Sequence, residues 1–153
     1  MALRAILVDG DDLLRKTSKP VEHFDARLHD LLDDMAQTMY KARGIGLAAP
    51  QVGVLRRVFV VDLGDGTGLR EFVNPVISAA LGDQVYEEGC LSVPGWYGNV
   101  HRPARLTVEA WDRHGRPFRL DAADLMAVCV SHENDHLDGV LFKDKVDGEL
   151  VKL

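Results

Sequence analysis

Cysteine is scarce in this chain. Cys90 and Cys129 are the only two in 153 residues, so no disulfide framework staples the fold, and a reducing compartment fits. Long apolar runs are missing as well. Nothing approaches the roughly 18 consecutive apolar residues of a membrane span, and there is no signal-like start, so neither spanning nor secretion has support. Basic runs stop at Arg56-Arg57, and 18 Lys plus Arg stand against 24 Asp plus Glu for a net charge of −6. Nucleic acid is therefore a poor direct ligand. The glycine-rich Gly64-Asp65-Gly66-Thr67-Gly68 has no Lys-Ser or Lys-Thr after it, which excludes a phosphate loop and leaves a turn between strands. No repeat, linker or low-complexity tract breaks the chain. One domain over residues 1–153, with a core that needs no disulfides, is the expectation.

The patterning predicts strands between helices. Asp25 to Arg43 carries Leu28, Leu31, Leu32, Met35 and Met39 at helical spacing and ends at Gly44, which is the mark of a packed helix with a glycine stop. Arg57 to Asp62, with Val-Phe-Val-Val at its centre, reads as a buried strand. Glu71 to Ser78 is another, and Pro75 inside it implies an edge or a bulge. Arg105 to Asp112 alternates in period two and pairs with Pro117 to Leu120 through a turn at Arg113-His114-Gly115. A second helix is expected over Ala122 to Leu137. It holds no Gly or Pro, has Asp121 and Asp124 as candidate caps, and meets Gly139 as its stop. The predicted fold class is α+β, with antiparallel β-sheets packed around this central helix.

That helix carries the chemistry. His132-Glu133-Asn134-Asp135-His136 is an H-E-x-x-H pattern. At roughly 100° per residue, His132 and His136 stand about 40° apart on one helical face, so both rings can reach one ion. Glu133 projects from the same side, near the ligands without having to be one, which suits a general base. Apolar Leu125, Val128, Cys129 and Val130 make the helix a buried one. Two histidines are one ligand short of the usual three in a catalytic site with an open position. A metzincin-like continuation is excluded, because Val140 to Lys145 contains no His. The candidates left are Cys129 on the same helical face, Cys90 at a turn or strand end beside Gly89, and a distant carboxylate.

Three blocks in order narrow the choice. Gly44-Ile45-Gly46-Leu47-Ala48-Ala49-Pro50-Gln51-Val52-Gly53, Glu88-Gly89-Cys90-Leu91-Ser92 and His132 to Gly139 together resemble peptide deformylase over nearly the whole chain. Taken alone, each block has a plainer reading. Gly44-Ile45-Gly46 would be a helix C-cap followed by a turn, and Cys90 a small buried hydrophobe.

The resemblance implies a peptide deformylase-like domain and a hydrolase that removes the formyl group from formylmethionyl nascent peptides. It implies Cys90, His132 and His136 as metal ligands, with Cys129 as wall. Glu133 becomes the general base and acid, and Gln51 with the Leu91 N–H stabilises the oxyanion. Ile45, Gly46, Tyr86, Gly89, Leu125, Val128 and Cys129 are implied to bind substrate, Tyr86 being bulkier than the aliphatic residue common at its place. The implied cofactor is one Fe2+ per chain, with Zn2+, Ni2+ or Co2+ able to substitute. A monomer in the cytoplasm is expected, or in an organelle matrix if a transit peptide has been removed. No membrane or nucleic-acid partner is expected. Transient proximity to the ribosome follows from the substrate, but Val146 to Leu153 is too short and too acidic for the basic C-terminal helix with which some members dock.

Departures from the family pattern are few. Asp9-Gly10-Asp11 replaces a Pro-Asp-Pro-like element, and Ser131 replaces a common Gln. Trp96-Tyr97-Gly98-Asn99 stands as a loop where a basic side chain often helps bind substrate backbone. Arg102 is expected to pair with Asp135, a surface pair being worth little. Two rival classes share the H-E-x-x-H: a zinc endopeptidase with a downstream third ligand, and a metal-binding module without catalysis. Retained metal and activity in Cys90→Ala would favour the first, and no effect of Glu133→Ala the second.

Overall fold

The computed structural model describes residues 2–153. Helix α1 spans Ala26–Lys41, and the Asp25 side chain accepts a hydrogen bond from the Leu28 N–H at 3.2 Å, satisfying one of the first-turn donors. Strands β1 (Gly46–Ala48), β2 (Val58–Val61), β3 (Arg70–Leu81), β6 (Arg105–Trp111) and β7 (Pro117–Ala123) form one antiparallel sheet in the order β1-β2-β3-β6-β7. Strands β4 (Gln84–Cys90), β5 (Val93–Arg102) and β8 (Val151–Lys152) form a second, ordered β4-β5-β8. Helix α2, Asp124–Leu137, follows β7 directly. The class is α+β, as expected.

Period-two alternation in β2 sorts the core. Val58 and Val60 pack with Leu28, Leu31, Leu32, Met35 and Met39 of α1, whereas Phe59 and Val61 pack with Ala127, Cys129, Val130 and Leu137 of α2. All four β2 side chains are fully buried, so the larger sheet is covered by a helix on each face. Phe59 lies opposite Phe72 of β3, and their rings stack at 4.7 Å. Pro75 does mark a bulge: the β3–β6 register shifts between Val73 and Val76. Asn74 at the bulge clasps Val21 through both its amide groups, at 2.8 and 3.0 Å, which ties down the segment leading into α1. Among the described residues, no helix is long and apolar enough to cross a membrane.

Three expectations need correcting. The second helix begins at Asp124 and not at Ala122, because Ala122 and Ala123 stay paired in β7 with Leu106 and Arg105. Neither aspartate caps it. The Asp121 carboxylate accepts from the Thr107 hydroxyl at 2.8 Å, and the N-cap position is Ala123, with no side-chain cap bond. Trp96 to Asn99 is strand and not loop, since Tyr97 pairs with Gly89 on one side and Val151 on the other. The C-terminal segment supplies that second partner, and local sequence does not show it.

Candidate metal centre

Cys90 ends β4, and His132 and His136 sit one turn apart on α2, a helix held against both sheets. One ligand atom from each comes within 4.8 Å of the others, and Cys90 Sγ lies 3.4 Å from His136 Nε2. Two ligands at about 2.0 and 2.3 Å from one ion, at a tetrahedral angle, stand about 3.5 Å apart. A thiol and two imidazoles are a donor set for first-row transition ions rather than for magnesium or calcium. The structure brings the three expected ligands together. It keeps Cys129 out of the group, buried in the wall, where burial above all pushes its thiol up to about 12.

The imidazoles are pre-oriented. His132 Nδ1 is 2.8 Å from Glu88 Oε1, which leaves Nε2 facing the cluster. Glu88 and Cys90 share one face of β4 by the two-residue period of a strand. Burial would raise the Glu88 carboxyl, but hydrogen bonds from Arg102 and His132 outweigh it and hold it down at about 2. Arg102 grips Glu88 with two bonds, at 2.8 and 2.9 Å, and reaches Asp135 at 2.7 Å. The expected Arg102–Asp135 pair is present, but not as a surface pair: Arg102 is 3 % exposed. Glu88 is the residue that sequence reasoning left unassigned. The signal was available in its position two residues before Cys90 inside a matched block. Burial holds His136 well below the usual imidazole range, so it stays neutral with a lone pair to donate.

Glu133 lies beside this group, Oε2 3.9 Å from His132 Nε2, while its buried Oε1 has no partner among the described residues. Burial pushes its carboxyl up to about 7. Gly46 makes room for it, since a Cβ there would meet Glu133 Oε2 at 2.5 Å. Gln51 is 1 % exposed. The Ala48 N–H donates to its Oε1 at 2.9 Å, and its Nε2 points at Ser92 Oγ and Cys90 Sγ, at 3.1 and 3.6 Å.

A cavity of about 470 Å3 opens over these groups, a size that suits a small ligand. Ile45, Gly46, Tyr86, Gly89, Leu125, Val128 and Cys129 all line it, as do Gln51, Cys90, Leu91, His132 and Glu133. His136 lies behind them, 1 % exposed. Tyr86 stands at the mouth, 41 % exposed, and not deep in the wall. Loading with Co(II) checks the ligand set: Cys90→Ala is expected to lose stoichiometric binding and the thiolate charge-transfer absorption, whereas Cys129→Ala keeps both. A charge-transfer band surviving in Cys90→Ala would move the thiolate elsewhere.

An α+β fold with H-E-x-x-H histidines, a strand-end cysteine and a buried carboxylate at one cavity defines the class of metallo-hydrolases. The model of the family described as polypeptide deformylase matches residues 3–151. The chain is 57 % identical to the peptide deformylase of Acetivibrio thermocellus over 146 residues, covering 95 % of this chain and 85 % of that one. It is 58 % identical to that of Caldicellulosiruptor bescii over 146 residues, covering 95 % and 87 %. The crystal structure of a peptide deformylase from Legionella pneumophila superposes with a TM-score of 0.91 at 49 % identity, covering 95 % of this chain and 86 % of that one. The chain belongs to the polypeptide deformylase family.

Proposed function

We propose that this enzyme removes the N-terminal formyl group from formylmethionyl peptides, releasing formate and a free amine. The observation that carries the reading is the Cys90, His132 and His136 group with the buried Glu133 carboxylate beside it, whose Oε1 has no partner among the described residues, at a cavity that Cys90, His132 and Glu133 line. An ion held by the three ligands supplies a Lewis acid and lowers the pKa of water.

The chain's own groups do the rest. Glu133 takes the proton as water attacks the formyl carbon and returns it to the nitrogen as the C–N bond breaks. The Gln51 amide and the Leu91 N–H, which no turn or loop carbonyl among the described residues claims, donate to the oxygen that gains charge. Strands β1 and β4 are sheet edges that border the cavity with Gly46 and Gly89, so an extended peptide can pair with both. Leu125, Val128 and Cys129 offer the methionine side chain an apolar wall. The whole chain acts as one catalytic domain in this reading, a monomer of the cytoplasm working on nascent peptides near the ribosome. Fe2+ is the proposed ion, with Ni2+, Co2+ or Zn2+ as substitutes. A thiolate beside Fe2+ makes oxidation the expected route of inactivation.

The test is release of formate from a short formyl-Met peptide by anaerobically prepared protein carrying Fe2+ or Ni2+, against the metal-free form. Release only with metal is expected. A folded protein with one ion bound that releases none sinks the reading. Gly46→Ala probes the room left for Glu133: a carboxylate displaced by about 1 Å is expected to cost roughly 100-fold in kcat/KM in a folded protein. Unchanged kcat/KM would show that the carboxylate tolerates the methyl.

A further inference from the structure

We infer that Arg43 is a specificity-determining residue that favours substrates with a carboxylate on the second or third residue. The inference deepens the deformylase reading and rests on it for the substrate's orientation.

Arg43 follows α1 with φ +61°, the left-handed region where glycine is the usual occupant after a helix and a long side chain is disfavoured. Its backbone is held in place: the Arg43 N–H donates to Tyr40 O at 3.1 Å, and the Gly44 N–H donates to Met39 O at 2.9 Å. The helix dipole favours a cation here, but Lys41 in the last turn already supplies one. Arginine at this glycine-like position is therefore held at a backbone cost.

Arg43 lines the cavity, is exposed, and is the one Arg or Lys among the described residues that does so. It makes no ion pair among the described residues, whereas Arg4, Arg15, Arg57, Arg102 and Arg113 each hold a carboxylate. The cavity's own acids do not claim it. Glu88 is held by Arg102, Glu133 is buried against the histidines, and Glu87, exposed at the same cavity, forms no ion pair with it among the described residues. Gly46 lies against Glu133 at the reacting end, and Arg43 is three residues before it, at most about 10 Å by chain length. A peptide with its formyl group at Glu133 brings its second or third side chain to that distance. Ile45 and Tyr86, both partly exposed at the mouth, would flank the side chain's apolar stem.

The experiment compares formyl-Met-Ala-X and formyl-Met-X-Ala amides with X as Asp or Lys, the C-terminal amide removing the terminal charge. Its readout is the Asp-to-Lys ratio of kcat/KM in wild type, Arg43→Gln and Arg43→Glu. An exposed pair of this kind predicts about a two- to fivefold preference for Asp in one of the two series. It should reside in KM, because the contact is the same before and at the transition state, and should fade as salt is added. It should vanish in Arg43→Gln and invert in Arg43→Glu. Calorimetric binding of the unformylated Met-Ala-Asp and Met-Asp-Ala amides, against their Lys counterparts, measures the preference without turnover. A ratio unchanged in Arg43→Gln overturns the inference. An Arg43-dependent binding preference with no formate release would retain it and sink the deformylase reading instead.

Discussion

Glu133→Gln is expected to keep its metal and its fold while losing roughly 10²- to 10⁴-fold in kcat/KM, the contribution of a positioned proton-transfer group. The substitution preserves shape and removes only the capacity to take and return a proton. The magnitude follows from where the carboxyl sits. It is 4 % exposed, adjacent to His132 and without a partner for Oε1 among the described residues, so no second side chain stands ready to replace it. Burial lifts it to about 7, and a group that titrates near the working pH both accepts and donates readily. Metal content by elemental analysis and steady-state formate release are measured on the same preparation. Turnover within a few-fold of wild type, with the ion bound, would remove Glu133 from the proton path.

Arg102→Ala is the substitution with the largest expected effect on stability. Arg102 and Glu88 are each 3 % exposed and joined by two hydrogen bonds. Removing the guanidinium strands a buried carboxylate, which typically costs about 3 to 5 kcal/mol. Lysine would not restore the two-point grip. The loss reaches the metal as well: Glu88 also holds His132 Nδ1, and losing such a supporting contact weakens metal affinity by about 10- to 100-fold. Denaturant unfolding of the metal-free variant and a competition titration with a chelator check the two parts.

The pH dependence has a definite sign. Glu88 is held at about 2 in the folded protein against an ordinary value of 4.5, so its stabilisation is present above that ordinary value and is lost as pH falls toward 2. Without Arg102 the folded carboxyl rises, and the acid-unfolding midpoint should move to higher pH. A midpoint and a denaturant stability both unchanged would mean that Glu88 finds another partner.

The H-E-x-x-H pair was legible in the sequence because helix periodicity makes i and i+4 neighbours in any helix. The α1 stripe, the buried β2, the bulge at Pro75 and the β6–β7 hairpin were legible for the same reason. Each depends on residues close together in the chain, where the period of the backbone dictates which side chains share a face. The three blocks in order carried the family and, through it, the expectation of Cys90 as the third ligand, a choice that spacing had left open between Cys90, Cys129 and a carboxylate.

Long-range packing settled the remainder. That Cys90 Sγ meets the histidines from another sheet, that Glu88 and Arg102 form a buried clasp behind His132, and that Gly46 clears the space for Glu133 are contacts between segments from about 14 to 90 residues apart. The start of α2 at Asp124 follows from the same kind of competition, since pairing with β6 keeps Ala122 and Ala123 in a strand. So does the strand at Trp96 to Asn99, where the partner arrives from the C-terminal segment. Periodicity and capping act over a few residues, whereas burial and ladder pairing set boundaries and charge partners. For this chain the local code wrote the H-E-x-x-H helix, and the packing of the two sheets brought Cys90 to its histidines, set the Glu88 carboxylate against His132 and shaped the cavity above them.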